Sequence, residues 1–239
     1  MNERKGLHVA ILGLGPSVVK YVEYVKRLGG RHKFCDEVWA INAMGDIVTC
    51  DRIFHMDDVR IQQARATAAP DSNIAVMLEW LKQHRGPIYT SRTHDDYPGL
   101  VPFPLEDVVN STKYSYFNST AAYAVAYAIH IGVRKMTLFG MDFTYPNVHQ
   151  AEKGRACVEF WLGMAAERGI ELSIPHVSSL MDGCTPEDRL YGYDTLDVSM
   201  EKVDGRINVT FTEKADVASA EEIEHRYDHS RRPSPLVED

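Results

Sequence analysis

Residues 7–17 read LHVAILGLGPS. An unbroken apolar run of strand-forming residues stops at Gly13, and two glycines, a proline and a serine follow within five positions. An apolar run bounded by turn residues predicts a strand buried on both faces, the kind found inside a parallel sheet. The next segment, SVVKYVEYVKRLGG, sets Val18, Tyr21, Val22, Val25 and Leu28 at helical spacing and ends on Gly29-Gly30, so a helix starts at Ser17. A buried strand feeding a helix through a glycine turn is the first half of a βαβ unit.

The same alternation continues along the chain. Strands are expected at 37–44 (EVWAINAM), 52–58 (RIFHMDD), 87–92 (PIYTSR), 113–117 (KYSYF), 135–143 (KMTLFGMDF) and 170–175 (IELSIP), and helices at 59–67, 73–84, from 118 to the glycine at 132, and at 154–169. The stretch DDYPGLVPFPLEDV carries three prolines and reads as a loop. The expected fold class is α/β, a Rossmann-like, mostly parallel sheet with helices on both faces. Ligands of such sheets bind at the carboxyl ends of the strands. After residue 180 the text is turn-rich, with one late strand at 206–212, so residues 181–225 are expected to form an irregular C-terminal extension or lid on the 1–180 domain. Residues 226–239 read as a polar, disordered tail.

Bulk composition narrows the class. With 239 residues, 44% hydrophobic, the chain can bury a sizeable core. A net charge of -8 argues against a nucleic-acid partner or an anionic membrane surface. No apolar run approaches the roughly 20 residues of a membrane span, and the start has no cleavage-like site. Cys35, Cys50, Cys157 and Cys184 lack CxxC spacing, which points to reduced thiols and a cytoplasmic setting. A homo-oligomer is left open.

The candidate site residues sit just after strands. Gly13 and Gly15 let the backbone turn sharply and approach a ligand; Pro16 suits a first helical position; Ser17 can cap the helix or donate to an anion at its positive end. Val18 stands where a dinucleotide fingerprint has its third glycine, and Asn42 where a ribose-binding carboxylate would end the second strand, which disfavours a nicotinamide cofactor. No GK[ST] follows, so the loop is not a Walker motif. Asn42 could read a base or ribose edge, or simply turn the chain. Asp57 and Asp58 could hold ribose hydroxyls or a divalent cation, or cap the helix after them. Ser119 and Thr120 open a second helix whose next residues, Ala121 and Ala122, are small; capping explains one hydroxyl but not both. Asp142 places a carboxylate at an apolar strand end, where it needs a partner or a function. Tyr145 and His149 follow on what reads as a loop, and histidine suits a general base.

The order GxGPS, strand-end Asn, [ST][ST]-small helix, G-x-D-F and downstream His over residues 7–175 resembles the bacterial sialyltransferases of glycosyltransferase family 42. It also resembles their relatives, the motility accessory factor glycosyltransferases and the archaeal 6-hydroxymethylpterin diphosphokinase-like proteins. STAAYAVAYAIHIGVRKMTLFGMDF and HQAEKGRACVEFWLGMAAERGIELSIP carry the resemblance best. It implies that Gly13, Gly15, Pro16, Ser17, Asn42, Ser119 and Thr120 hold a nucleotide-activated sugar, that Tyr145 meets the donor phosphate and that His149 is the catalytic base. Two departures stand out. Leu14 occupies a place where the family carries Asn, and Met56, Asp57 and Asp58 lie near the place of a second Asn. The aspartates would suit magnesium and ATP, as in the pterin kinase-like branch. The expected function is glycosyl transfer from a nucleotide-sugar donor to a hydroxyl acceptor. The alternatives are ATP-dependent diphosphoryl transfer, a non-catalytic nucleotide-binding module, and transfer of a sugar to DNA, against which the acidic balance counts.

Overall fold

The computed structural model describes residues 6–144, 147–181, 190, 192, 193 and 195–225. The chain divides into two compact units, Met1–Gly183 and Cys184–Asp239.

The first unit is built on a seven-stranded sheet. Its strands are β1 (His8–Leu12), β2 (Glu37–Ile41), β3 (Arg52–Phe54), β4 (Ile88–Thr90), β5 (Leu100–Pro102), β6 (Lys135–Phe139) and β7 (Glu171–Ser173). They lie in the order β5-β4-β3-β2-β1-β6-β7, and every pairing is parallel. The chain winds outward from β1 to β5 and then returns to lay β6 on the free side of β1. Between β1 and β6 the winding reverses, which is where an open α/β sheet leaves a crevice.

Both faces of the sheet are apolar, as the unbroken run in β1 requires. Because side chains alternate along a strand, Val9 and Ile11 enter one core with Trp39, Ile41, Phe54 and Leu138, while Ala10 and Leu12 enter the other with Val38, Ala40 and Ile53. The first core belongs to α6 (Thr120–Ile131) and α7 (Val148–Glu167) and is joined by Val108 of α5 (Leu105–Thr112). The second is covered by α1 (Val18–Leu28), α3 (Val59–Ala68) and α4 (Asn73–Gln83), with Met44 of the short α2 (Met44–Ile47). Small side chains let α6 sit close to the sheet: Ala121, Ala122, Ala124, Ala126 and Ala128 are all buried. Trp39 and Trp161 are fully buried, and each large apolar side chain so enclosed contributes about 1.5–3 kcal/mol.

Three expectations are corrected. Residues 113–117 are not a strand. The Tyr116 carbonyl instead accepts from Trp161 Nε1 at 2.7 Å, and the Tyr114 and Tyr116 rings meet Phe160 edge-on, so the segment is fastened to α7. The proline-rich stretch read as loop holds β5 and the start of α5. Pro102 is tolerated because β5 is the edge strand and no ladder partner needs its missing N–H. His149 lies in the first turn of α7 rather than on a loop, with the Asn147 side chain capping that helix by accepting from Gln150 N at 3.1 Å.

The second unit contains the antiparallel pair β8 (Leu196–Val203) and β9 (Arg206–Glu213), followed by α8 (Ala220–Glu224). Asp204 and Gly205 join the strands with φ of 50° and 79°, the two positive values a type I′ hairpin turn needs. The late strand expected at 206–212 therefore has a partner. The tail expected over 226–239 lies outside the described residues. Among the described residues no helix is long and apolar enough to cross a membrane.

Candidate functional site

At the carboxyl ends of β1, β2 and β6 lies a cleft of about 420 Å³. It is lined by the glycine turn Gly13–Pro16, by Ile41 and Asn42, by the start of α6 (Ser119, Thr120, Ala121) and by Gly140–Thr144. Larger hollows of about 930 and 1000 Å³ lie alongside α1 and at the amino ends of the strands. The smaller cleft is the candidate because polar groups from separate segments converge there, at the point where the sheet winding reverses. Gly13, Gly15, Pro16, Asn42, Ser119, Thr120 and Asp142 are thus brought together from stretches more than a hundred residues apart.

The glycine turn is shaped by its neighbour across the sheet. Gly13 N donates to the Phe139 carbonyl and Gly15 N to the Gly140 carbonyl, each at 2.8 Å. A Cβ on Gly13 would overlap the Gly140 carbonyl oxygen, and one on Gly15 would stand 2.5 Å from Asp142 Oδ2. Gly140 itself has φ 69°, and a Cβ there would overlap the Gly13 carbonyl. Gly13 and Gly140 are therefore required by backbone meeting backbone, and Gly15 by the Asp142 carboxylate beside it.

Ser17 and Asp142 complete that joint. Ser17 is 2% exposed and absent from the cleft lining. Its hydroxyl accepts from Gly140 N at 2.7 Å, and its own N–H donates to Asp142 Oδ2 at 2.7 Å. Ser17 does not cap α1 with its side chain. The following N–H groups, of Val18, Val19 and Lys20, bond back to the carbonyls of Gly15, Pro16 and Ser17. The carboxylate of Asp142 thus occupies the positive end of α1, the place expected for a ligand's phosphate. The second oxygen of Asp142, Oδ1, is buried without a partner among the described residues.

The amino end of α6 is different. Ser119 caps it, accepting from Ala122 N at 3.3 Å. The first N–H groups of a helix have no partner within it, and Thr120 and Ala121 at that end line the cleft. This is the terminus that remains open to an anion.

Asn42 ends β2 with φ 51°, a left-handed conformation that Asn tolerates better than most residues. Its backbone N–H donates to the Phe54 carbonyl at 2.9 Å, and its side-chain Oδ1 lies 3.1 Å from His55 Nδ1. His55 is 1% exposed, and its Nε2 is buried with no partner among the described residues. Burial pushes the imidazole below its ordinary pKa, with the nearby charge of Asp57 acting in the opposite sense.

The remaining candidates fall outside the lining. Asp57 is exposed beyond the end of β3. Its neighbour Asp58 caps α3, accepting from Arg60 N at 2.9 Å, and lies 3.0 Å from His94 Nε2. His149 is exposed in the first turn of α7. Tyr145 lies outside the described residues. Among the described residues no group of three or more His, Cys, Asp or Glu side chains is placed to hold a metal ion. Sequence reasoning missed the contributions of Ile41, Gly140, Met141, Phe143 and Thr144 to the cleft and of His55 beneath it. Gly140 was legible in principle, since a glycine directly after an apolar strand marks a turn or a close approach.

No protein-family model matches the chain, and no curated protein matches it. Solved structures do. The sialyltransferase CstII from Campylobacter jejuni in complex with the substrate analogue CMP-3FNeuAc is similar at 18% identity with a TM-score of 0.44, over 92% of this chain and 98% of that one. The same enzyme with cytidine-5'-monophosphate is similar at 16% identity with a TM-score of 0.42, again over 92% and 98%.

Proposed function

We propose that the chain is a nucleotide-dependent glycosyltransferase that takes a nucleotide-activated sugar into the cleft between β1 and β6. The observation that carries this reading is the convergence of an open helix terminus at Ser119–Ala121 with Asn42 and the Gly13–Pro16 turn in one cleft. The α6 end supplies backbone N–H groups, a hydroxyl and a positive dipole for the donor phosphate. Asn42 supplies a side-chain amide for the nucleoside.

His149 is the proposed base. It follows the cleft-lining stretch Gly140–Thr144 along the chain, at the start of α7. In the reaction, an acceptor hydroxyl attacks the anomeric carbon of the donor. A new carbon–oxygen bond forms as the bond to the phosphate oxygen breaks; the nucleotide leaves with that electron pair, and the hydroxyl proton passes to His149. A base that reaches the acceptor hydroxyl contributes about 10²–10⁴-fold.

The test is a calorimetric and thermal-shift panel of CMP, UDP, GDP, ATP and the sugar conjugates of the first three, with and without magnesium, followed by product analysis with any ligand that binds. Binding of a nucleotide or its sugar conjugate and transfer of the sugar support the reading. Binding of ATP alone, dependent on magnesium and yielding AMP, replaces it with diphosphoryl transfer. Binding of none of them overturns it.

A further inference from the structure

His55 is a buried titratable group that the reaction above does not use. It lies at the end of β3, 1% exposed, and among the described residues only Nδ1 of its two ring nitrogens has a partner, the Asn42 side chain. We propose that His55 is a positioning residue: it fixes the Asn42 amide so that the NH2 end faces the cleft, and this position then reads hydrogen-bond acceptors on a bound nucleoside. The second half of this statement rests on the nucleotide reading of the cleft; the first half does not.

The donor arithmetic gives the orientation. An amide oxygen only accepts, so in the 3.1 Å contact with Asn42 Oδ1 the proton is carried by Nδ1. Nε2 is then a bare lone pair, which matches its lack of a partner. The flipped amide would offer its NH2 to Nδ1. That requires a bare Nδ1 and moves the ring proton to Nε2, leaving a buried N–H with nothing among the described residues to accept it, a rare arrangement in folded proteins. With Oδ1 held by His55, the two N–H groups of Asn42 are free to point elsewhere. Among the described residues nothing takes them, and Asn42 lines the cleft.

Backbone geometry alone does not account for the pair. A left-handed residue at the end of β2 explains an Asn or a Gly at position 42. It does not explain a histidine buried beneath it with half its hydrogen-bonding capacity unspent, since an apolar side chain would fill that space without the desolvation cost. A fixed NH2 donates and never accepts. It therefore favours a base carbonyl, an unprotonated ring nitrogen or a ribose oxygen at that point and rejects an amino group.

Two measurements on the full chain test this. The first needs no ligand: the side-chain amide resonances of Asn42 are assigned by nuclear magnetic resonance in the wild type, His55→Leu and His55→Asn. A well-ordered amide in the wild type that becomes mobile in His55→Leu and is restored in His55→Asn, whose Nδ2–H is attached at the same distance along the side chain as Nδ1–H, supports the positioning role. Equal order in wild type and His55→Leu overturns it; if the Leu variant does not fold, order kept in His55→Asn supports the role and order lost there overturns it. The second is a double-mutant cycle on CMP affinity with His55→Leu and Asn42→Gly, the glycine keeping the backbone conformation. Each single change is expected to weaken CMP about tenfold, and the double change no more than either alone. Additive losses overturn the proposal. An ordered, His55-dependent amide in a protein that binds no nucleotide supports the positioning role and sinks the nucleotide reading.

Discussion

Gly13 and Gly140 press their backbones against each other, and three alanine substitutions measure how rigid that contact is. Gly132 and Gly140 have almost the same φ, 72° and 69°. A Cβ on Gly132 meets nothing within 4 Å, while one on Gly140 overlaps the Gly13 carbonyl. Gly132→Ala therefore carries only the conformational cost of a left-handed alanine, about 1–2 kcal/mol. Gly13 is outside the left-handed region, so Gly13→Ala carries only the steric cost of meeting the Gly140 carbonyl, about 1–3 kcal/mol by analogy with overpacked cores. Gly140→Ala carries both, about 2–5 kcal/mol, a large part of the roughly 5–15 kcal/mol by which domains are stable. Urea unfolding followed by tryptophan fluorescence is the assay. Trp39, Trp80 and Trp161, the three tryptophans of the chain, all lie in the first unit, so the signal reports on the sheet that contains the contact. The expected order of stability is wild type, then Gly132→Ala, then Gly140→Ala, with the last two separated by at least about 1 kcal/mol. If they agree within about 0.5 kcal/mol, the two turns yield at little cost and the rigid contact is refuted.

Three further outcomes are expected. Ser119→Ala removes the cap of α6 and one hydroxyl from the cleft; it should lower stability by about 1 kcal/mol and weaken CMP several-fold, and unchanged affinity in calorimetry would remove the α6 terminus from the site. His149→Ala should lower the turnover of the transfer by about 10²–10⁴-fold while leaving the nucleotide dissociation constant within about twofold; a binding defect instead would take the base role from it. Burial holds His55 below its ordinary pKa of about 6.5. The unfolded chain therefore takes up this proton before the folded one does, and stability should fall as the pH drops below about 6.5. His8 and His84 are shifted in the same direction by burial and contribute in the same window. His55→Gln should flatten part of that acid loss in urea melts run between pH 7 and 5, and an unchanged slope would show that His55 carries none of it.

The fold was legible because its signal is repetitive. The apolar run Val9–Leu12 is continuous because both faces of β1 are buried, and helices follow most strands at readable spacing. Where tertiary contacts override local pattern, the reading failed. KYSYF has strand-like residues, yet its carbonyl at Tyr116 is spent on Trp161 of α7. Pro102 looked like a strand breaker, yet an edge position makes it harmless. Val203-Asp-Gly-Arg206 held a plain hairpin signal that a turn-rich context concealed. In the cleft, the meeting of residues 13–16 with 119–121 followed from the sheet winding. The inward turn of Ser17 did not, because nothing local reveals that a carboxylate from position 142 takes the place a phosphate would otherwise fill.

That carboxylate has a consequence for how the cleft can work. With Asp142 plugging the amino end of α1 and Ser17 stapling the β1 turn to the turn after β6, this bank of the crevice behaves as an anvil. A guest can press on it without setting it in motion, so any closing stroke has to come from other segments. Free and loaded forms should then superpose across residues 11–17 and 138–142, and the cleft should recognise its cargo by a shape set during folding.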